Sequence, residues 1–304
     1  MKQQTAFILT ALAVISLGVV FISTKERGVV KNDESTLALT PVSSITHAHG
    51  LGVDVVDPTM VYIATHHGLL VLKNDKELYQ VGNTKNDFMG FSAHPTNAKL
   101  FYSSGHPPTG GNLGILKTID QGVTWEKISN GGESPVDFHA MTISGADANI
   151  LYGVSRGALL RSTDAGKTWG TVYTGEQFFQ LTADPLDPLT VYGSSQTGRG
   201  ILVSHDQGRT WQTLSESLVG GGVYALAISP HNRSEMLSSG EKLGGLGMSN
   251  DGGKSWTLAP ERFSGETITH IAYDKNTEGV VVALTHTNRL FKSLDNGVTW
   301  KFVR

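Results

Sequence analysis

One eight-residue phrase, written five times, governs what this chain can fold into. It reads TIDQGVTW ending at Trp125, STDAGKTW at Trp169, SHDQGRTW at Trp211, SNDGGKSW at Trp256 and SLDNGVTW at Trp300. Its aspartates, Asp120, Asp164, Asp206, Asp251 and Asp295, stand 44, 42, 45 and 44 residues apart, and all five tryptophans of the protein lie in the phrase. A fixed period of this length means one supersecondary unit per repeat, stacked or set in a ring, because no single unit buries its apolar faces alone.

The phrase reads as a turn between two strands. Apolar strand residues precede it, as in Ala158-Leu159-Leu160 and Ile201-Leu202-Val203. The Asp carboxylate accepts hydrogen bonds from backbone N–H groups just beyond it, and the glycine two residues on supplies a backbone angle that side chains resist. Thr or Ser and then Trp open the next strand, where the indole packs against its neighbours. On these residues the phrase resembles the Asp box (BNR repeat) of sialidase-like and sortilin-like β-propellers, and of bacterial secreted glycosylhydrolase-like proteins. The aspartates are therefore expected to serve the turn, not to bind calcium or catalyse.

The repeat lays out blade by blade from Ile45. The second strands align as Val61-Tyr62-Ile63, Phe101-Tyr102, Leu151-Tyr152, Val191-Tyr192, Met236-Leu237 and Val281-Val282, which makes six units although only five carry the box. The first has kept Leu72-Lys73-Asn74-Asp75 in its place. This predicts an all-β, six-bladed β-propeller over residues 45–304. Trp300-Lys301-Phe302-Val303 would complete the last blade without a borrowed strand.

Ahead of the repeats, residues 6–22 form an apolar run of seventeen, flanked by Lys2 and by Lys25, Glu26 and Arg27. Residues 1–27 read as a signal peptide or signal anchor and 28–44 as a polar tether, so the propeller is expected outside the cytoplasm, secreted or held at a membrane. With no cysteine, disulfides and thiolate metal sites are excluded, and a formal charge of −3 offers no footprint for nucleic acid. A monomer is expected.

The blade layout sorts polar residues by rim. Strand starts and second-to-third-strand loops share one rim, and the Asp-box turns occupy the other. Eight of eleven histidines map to the first rim: His47, His49, His66, His67, His106, His139, His270 and His286. The loop position four residues after the second-strand Tyr, or its equivalent, is polar in every blade: His66, His106, Arg156, Gln196, Glu241 and His286. At the inner-strand starts, His47, Asp87 and Asp137 share one register, and His49, Met89 and His139 share the register two residues on.

Several uses of this rim follow. The plainest is a wet channel whose His and Asp groups hydrogen-bond loops and water. Imidazole and carboxylate together also suit a metal, with His47, His49, Met89 and His139 as ligands to copper or zinc; Met89 would favour copper. His66, His67, His106, Arg156, Gln196 and His286 would then bind a ligand around it, or His66, His67 and His106 would form a rival ligand set. The sialidase resemblance implies a third use, glycoside hydrolysis, with Tyr224 and Glu241 as nucleophile pair, Asp87 or Asp137 as acid, and Arg156, Arg199 and Arg289 gripping the substrate carboxylate. No Arg-Ile-Pro sequence stands near the first blade, and these arginines fall in loops, which departs from that pattern. Asp87 and Asp137 would otherwise form a carboxylate pair. A fourth use is protein binding. The expected partner is a glycan, a small ligand or an envelope protein.

Overall fold

The computed structural model describes residues 37–304; the expected export segment and residues 28–36 of the tether lie outside the described residues. Six antiparallel sheets follow one another along the chain, each with four strands in chain order from the axis outward. Their innermost strands are Ala48–Val53, Asp87–Ala93, Ala140–Ile143, Phe178–Ala183, Val223–Ile228 and Ile268–Tyr273. Each packs on the next, and the sixth packs on the first. The ring is a six-bladed propeller, as the repeat count requires. Among the described residues no helix is long and apolar enough to cross a membrane.

The second strands are apolar throughout because both of their faces are covered. Val61, Tyr62 and Ile63 are fully buried, with side chains alternating between two neighbouring blades. The core is accordingly divided into six clusters, one in each gap between blades. The gap that closes the ring joins Val282, Leu284 and Leu290 of blade six to Val61, Ile63 and Leu72 of blade one.

Among the described residues no strand is exchanged at the closure. The last blade ends in its own outer strand, Lys301–Phe302. Side chains tie it to blade one: Lys292 Nζ donates to Pro58 O and to Asp75 Oδ1, both at 3.0 Å, and Arg304 Nη1 donates to Lys76 O at 3.1 Å. Blade one carries a fifth strand, Leu39–Pro41, paired with Glu77–Val81 in the register Leu39↔Val81. The sheet thus begins inside the span that the sequence assigned to a tether. An open outer edge would leave unpaired N–H and C=O groups, and Leu37 and Leu39 find apolar contact beside Val81 and Tyr79.

The five boxes are self-contained turns. In the third, Asp206 Oδ1 accepts from Thr210 N at 2.9 Å and from Ser204 Oγ at 2.7 Å, while Oδ2 accepts from Thr210 Oγ1 at 2.6 Å. Ser204 Oγ accepts in turn from Gly208 N at 2.8 Å, and Trp211 Nε1 donates to Gly208 O at 3.0 Å. The same bonds recur in the other four boxes. Gly208 has φ +86°, and a Cβ there would meet Leu159 Cδ2 of the preceding blade at 2.8 Å. The phrase therefore closes its own turn and sets blade-to-blade spacing together.

Candidate functional site

A local irregularity repeated around the ring builds the site. The register of five of the six inner strands slips by one residue near the strand's start, at His49, Met89, Phe179, Tyr224 and Thr269. His139 immediately precedes the inner strand of blade three and is the equivalent residue there. A bulge of this kind re-aims a side chain. All six residues line one axial cavity of about 490 Å³. The expected register of His49, Met89 and His139 is therefore a structural one. Below them the cavity wall includes Leu51, Phe91, Met141, Leu181, Leu226 and Ile271.

Blades one and two crowd their histidines together. His47 and His66 stack at 5.0 Å between ring centroids, and His49 stands edge-on to both, at 4.8 and 4.4 Å. One nitrogen from each of the three lies within 4.8 Å of the others. His49 Nε2 is 3.3 Å from His66 Nε2. Behind them, His66 Nδ1 hydrogen-bonds Asp87 Oδ2, while His49 Nε2 lies 3.7 Å from Asp87 Oδ1 and His106 Nε2 lies 3.6 Å from Asp87 Oδ2. Asp87 is only 6% exposed, yet its Oδ1 has no hydrogen-bond partner among the described residues.

His66 turns Nδ1 to Asp87, so Nε2 is the nitrogen it presents to His49. Burial, and then the nearby His66, push His49 down to about 4, so it is neutral at neutral pH. His270, from blade six, stands against the same cluster and is pushed to about 4 mainly by burial. Blade six thus approaches blade one at this rim, as ring closure required.

The compact set differs from the ligand set expected from sequence. His66 takes the place of Met89 and His139. Met89 lines the cavity wall, and His139 turns to Asp137, with Nε2 3.3 Å from Oδ2. That hydrogen bond raises the His139 pKa. His67 is exposed, its ring 6.4 Å from that of His66. His286 lines the cavity and accepts from Thr267 N at 3.2 Å. Gln196 is a strut, donating to Phe178 O at 3.2 Å.

The residues of the sialidase expectation come together only in part. Tyr224 does meet Glu241, its hydroxyl donating to Oε1 at 2.8 Å. That bond raises the Tyr224 pKa and lowers that of Glu241. The three arginines do not converge beside this pair. Arg199 faces Glu176 at 3.7 Å, where Thr197 Oγ1 also bonds Glu176 at 2.9 Å. Arg289 repeats the clamp on Glu266 at 3.1 Å and stands 4.8 Å over the Phe302 ring, on the outermost strand of blade six. Arg156 occupies a tight turn at φ 51°. None of the three lines the axial cavity.

Two groups in the cavity escaped the sequence reading. Phe179 is 52% exposed at the bulge position of blade four, and only alignment to His49 would have found it. Lys275, just beyond the other end of the blade-six inner strand, lines the same cavity and is pushed down to about 8 by burial.

Comparison with known proteins agrees with this architecture. Residues 202–213 match the BNR/Asp-box repeat family. A xyloglucanase of Paenibacillus sp is 25% identical over 183 residues, which is 56% of this chain and 15% of that protein. Among solved structures, the GH74 xyloglucanase of Xanthomonas campestris superposes with a TM-score of 0.60 at 18% identity, covering 88% of this chain and 47% of that one. YCF48 bound to D1 peptide superposes with a TM-score of 0.55 at 16% identity, covering 87% and 85%. The chain spans less than half the length of the xyloglucanases it is similar to. The structural likenesses speak for the fold. With five boxes and six blades, the chain is a BNR-repeat β-propeller.

Proposed function

We propose that this Asp-box propeller is a metal-binding protein working outside the cytoplasm, with zinc or copper held by His47, His49 and His66 at the histidine rim. One observation carries the reading: three imidazole nitrogens within 4.8 Å of one another, beside a buried carboxylate with an orphaned oxygen. The 3.3 Å between His49 Nε2 and His66 Nε2 fits an ion. Two nitrogens on a tetrahedral zinc, each at about 2.0–2.1 Å, stand about 3.3–3.4 Å apart, whereas neighbours in a square plane stand about 2.8–3.0 Å apart. The separation thus favours zinc or copper(I) over copper(II). Asp87 behind His66 supplies the carboxylate that commonly orients and strengthens a ligating imidazole. The apolar run at residues 6–22 supports the location, as an export signal or a membrane anchor.

Calorimetric titration of tag-free protein with zinc tests this. The parent takes up one equivalent, and His66→Ala binds at least about ten-fold more weakly, in line with the loss of a zinc ligand or its support. Absence of binding, or undiminished binding in the variant, contradicts the reading.

The likeness to xyloglucanases favours a second reading, a glycoside hydrolase acting through Asp87 and Asp137. Release of reducing sugar from xyloglucan by the parent, and its loss in Asp137→Asn, would put this reading first. YCF48 bound to D1 peptide supplies the precedent for a third, a propeller that grips a protein segment.

A further inference from the structure

We propose that the three-histidine centre is open: its remaining coordination position takes the anionic group of a small ligand whose apolar body stands in the axial cavity. The proposal rests on the metal reading above and adds a ligand class to it. Structural zinc centres are closed by four protein ligands, whereas three leave a position for water or a ligand. Among the described residues only His47, His49 and His66 bring nitrogens within 4.8 Å of one another.

The neighbouring histidines are otherwise engaged. His106 faces Asp87 Oδ2 at 3.6 Å. His139 faces Asp137 at 3.3 Å. Asp87 gives the same oxygen, Oδ2, to His66 Nδ1, on the far side of that ring from Nε2. It therefore works behind the imidazole. Its Oδ1, 3.7 Å from His49 Nε2 and without a hydrogen-bond partner among the described residues, adds negative charge beside the cation, and the anion titration below tells whether it fills the fourth position.

The position of the centre makes the fourth site reachable. His47 is exposed, and both His47 and His49 line the cavity, whose 490 Å³ falls within the range of small-molecule sites. A ligand reaches the ion without any blade moving. Beneath the ion the wall turns apolar, at Leu51, Phe91, Met141 and Leu226, which selects a ligand with an apolar body. A monocarboxylate with a hydrophobic tail fits this order of groups. Binding exchanges a metal-bound water for the carboxylate oxygen, and no bond within the ligand changes.

The test uses full-length, tag-free protein loaded with cobalt(II), whose visible bands report coordination. Azide, acetate and phenylacetate are each titrated against the bands, and bound cobalt is counted by elemental analysis. Expected are one bound cobalt, a saturable spectral shift with every anion, and binding of phenylacetate about ten-fold tighter than acetate from burial of its ring. The shift persists in His106→Ala. Bound cobalt whose spectrum no anion moves overturns the open centre while leaving the metal reading intact. A parent that is silent to anions until His106 is replaced identifies His106 as the fourth ligand and overturns it likewise. Equal affinity for acetate and phenylacetate overturns the role of the cavity. Failure to bind cobalt or zinc at all defeats the metal reading itself.

Discussion

At the scale of single residues, burial keeps His49 and His270 neutral at the rim. Protonating both would bury two cations side by side at the mouth of the cavity. His270 isolates this effect, because it lies outside the compact nitrogen set. Its folded pKa is depressed to about 4 from 6.5, so the unfolded chain binds a proton that the folded protein refuses across that window. Stability is full above 6.5 and falls as pH drops from 6.5 towards 4. In His270→Gln, thermal melts taken across this window should lose less stability on acidification, by roughly 1–3 kcal/mol relative to the parent. Gln180, at the equivalent place in blade four, shows that an amide fits there, since its Oε1 accepts from Leu226 N at 2.9 Å. An unchanged acid dependence would remove His270 from the account.

At the scale of elements, the Asp box and the bulge divide the labour between the two rims. The box aspartates are saturated by their own turns. Hydrogen bonds from Thr168 and Ser255 hold Asp164 and Asp251 at about 2, so their contribution persists until pH falls below 3.8 towards 2. This is why the boxes were legible in the sequence: every bond that makes them lies within a few residues. Gly208→Ala should test them, since it places a Cβ at φ +86° and 2.8 Å from Leu159. Chemical denaturation should record a loss of about 1–3 kcal/mol, with metal affinity unchanged once the protein is folded. Equal loss of metal affinity in the folded variant would contradict the structural role.

The bulges were less legible. The registers of His47 with Asp87 and of His49 with Met89 and His139 could be read from strand periodicity and repeat alignment. The slip at His49, which brings it against His66 from the next loop, depends on pairing across the sheet. The arginines were placed on the correct rim, but the clamps with Glu176 and Glu266 turn them aside. Those partners stand 23 residues away in each case, beyond the reach of a local pattern. The strand Leu39–Pro41 was hidden in the same way, since only its pairing to Glu77–Val81 distinguishes it from the polar segment before it.

At the scale of the whole molecule, the ring unites these parts. Blade one alone supplies three of the site's imidazoles. Closure of six blades gathers His47, His49 and His66 from blade one, Asp87 from blade two and His270 from blade six around one mouth. Lys292 and Asn276 of blade six tie directly to blade one, at Asp75 and at the Val55 carbonyl, so the seam that completes the ring also completes the site. The account stands on an ion at the histidine rim. The most direct measurement is anomalous X-ray diffraction at the zinc and copper absorption edges, from crystals of tag-free protein grown with each metal. It predicts one dominant peak, with nitrogen ligands from His47, His49 and His66 at about 2.0–2.1 Å and Asp87 behind His66. A map without a peak at the histidine rim, or with its only peaks at the Asp boxes, would contradict it.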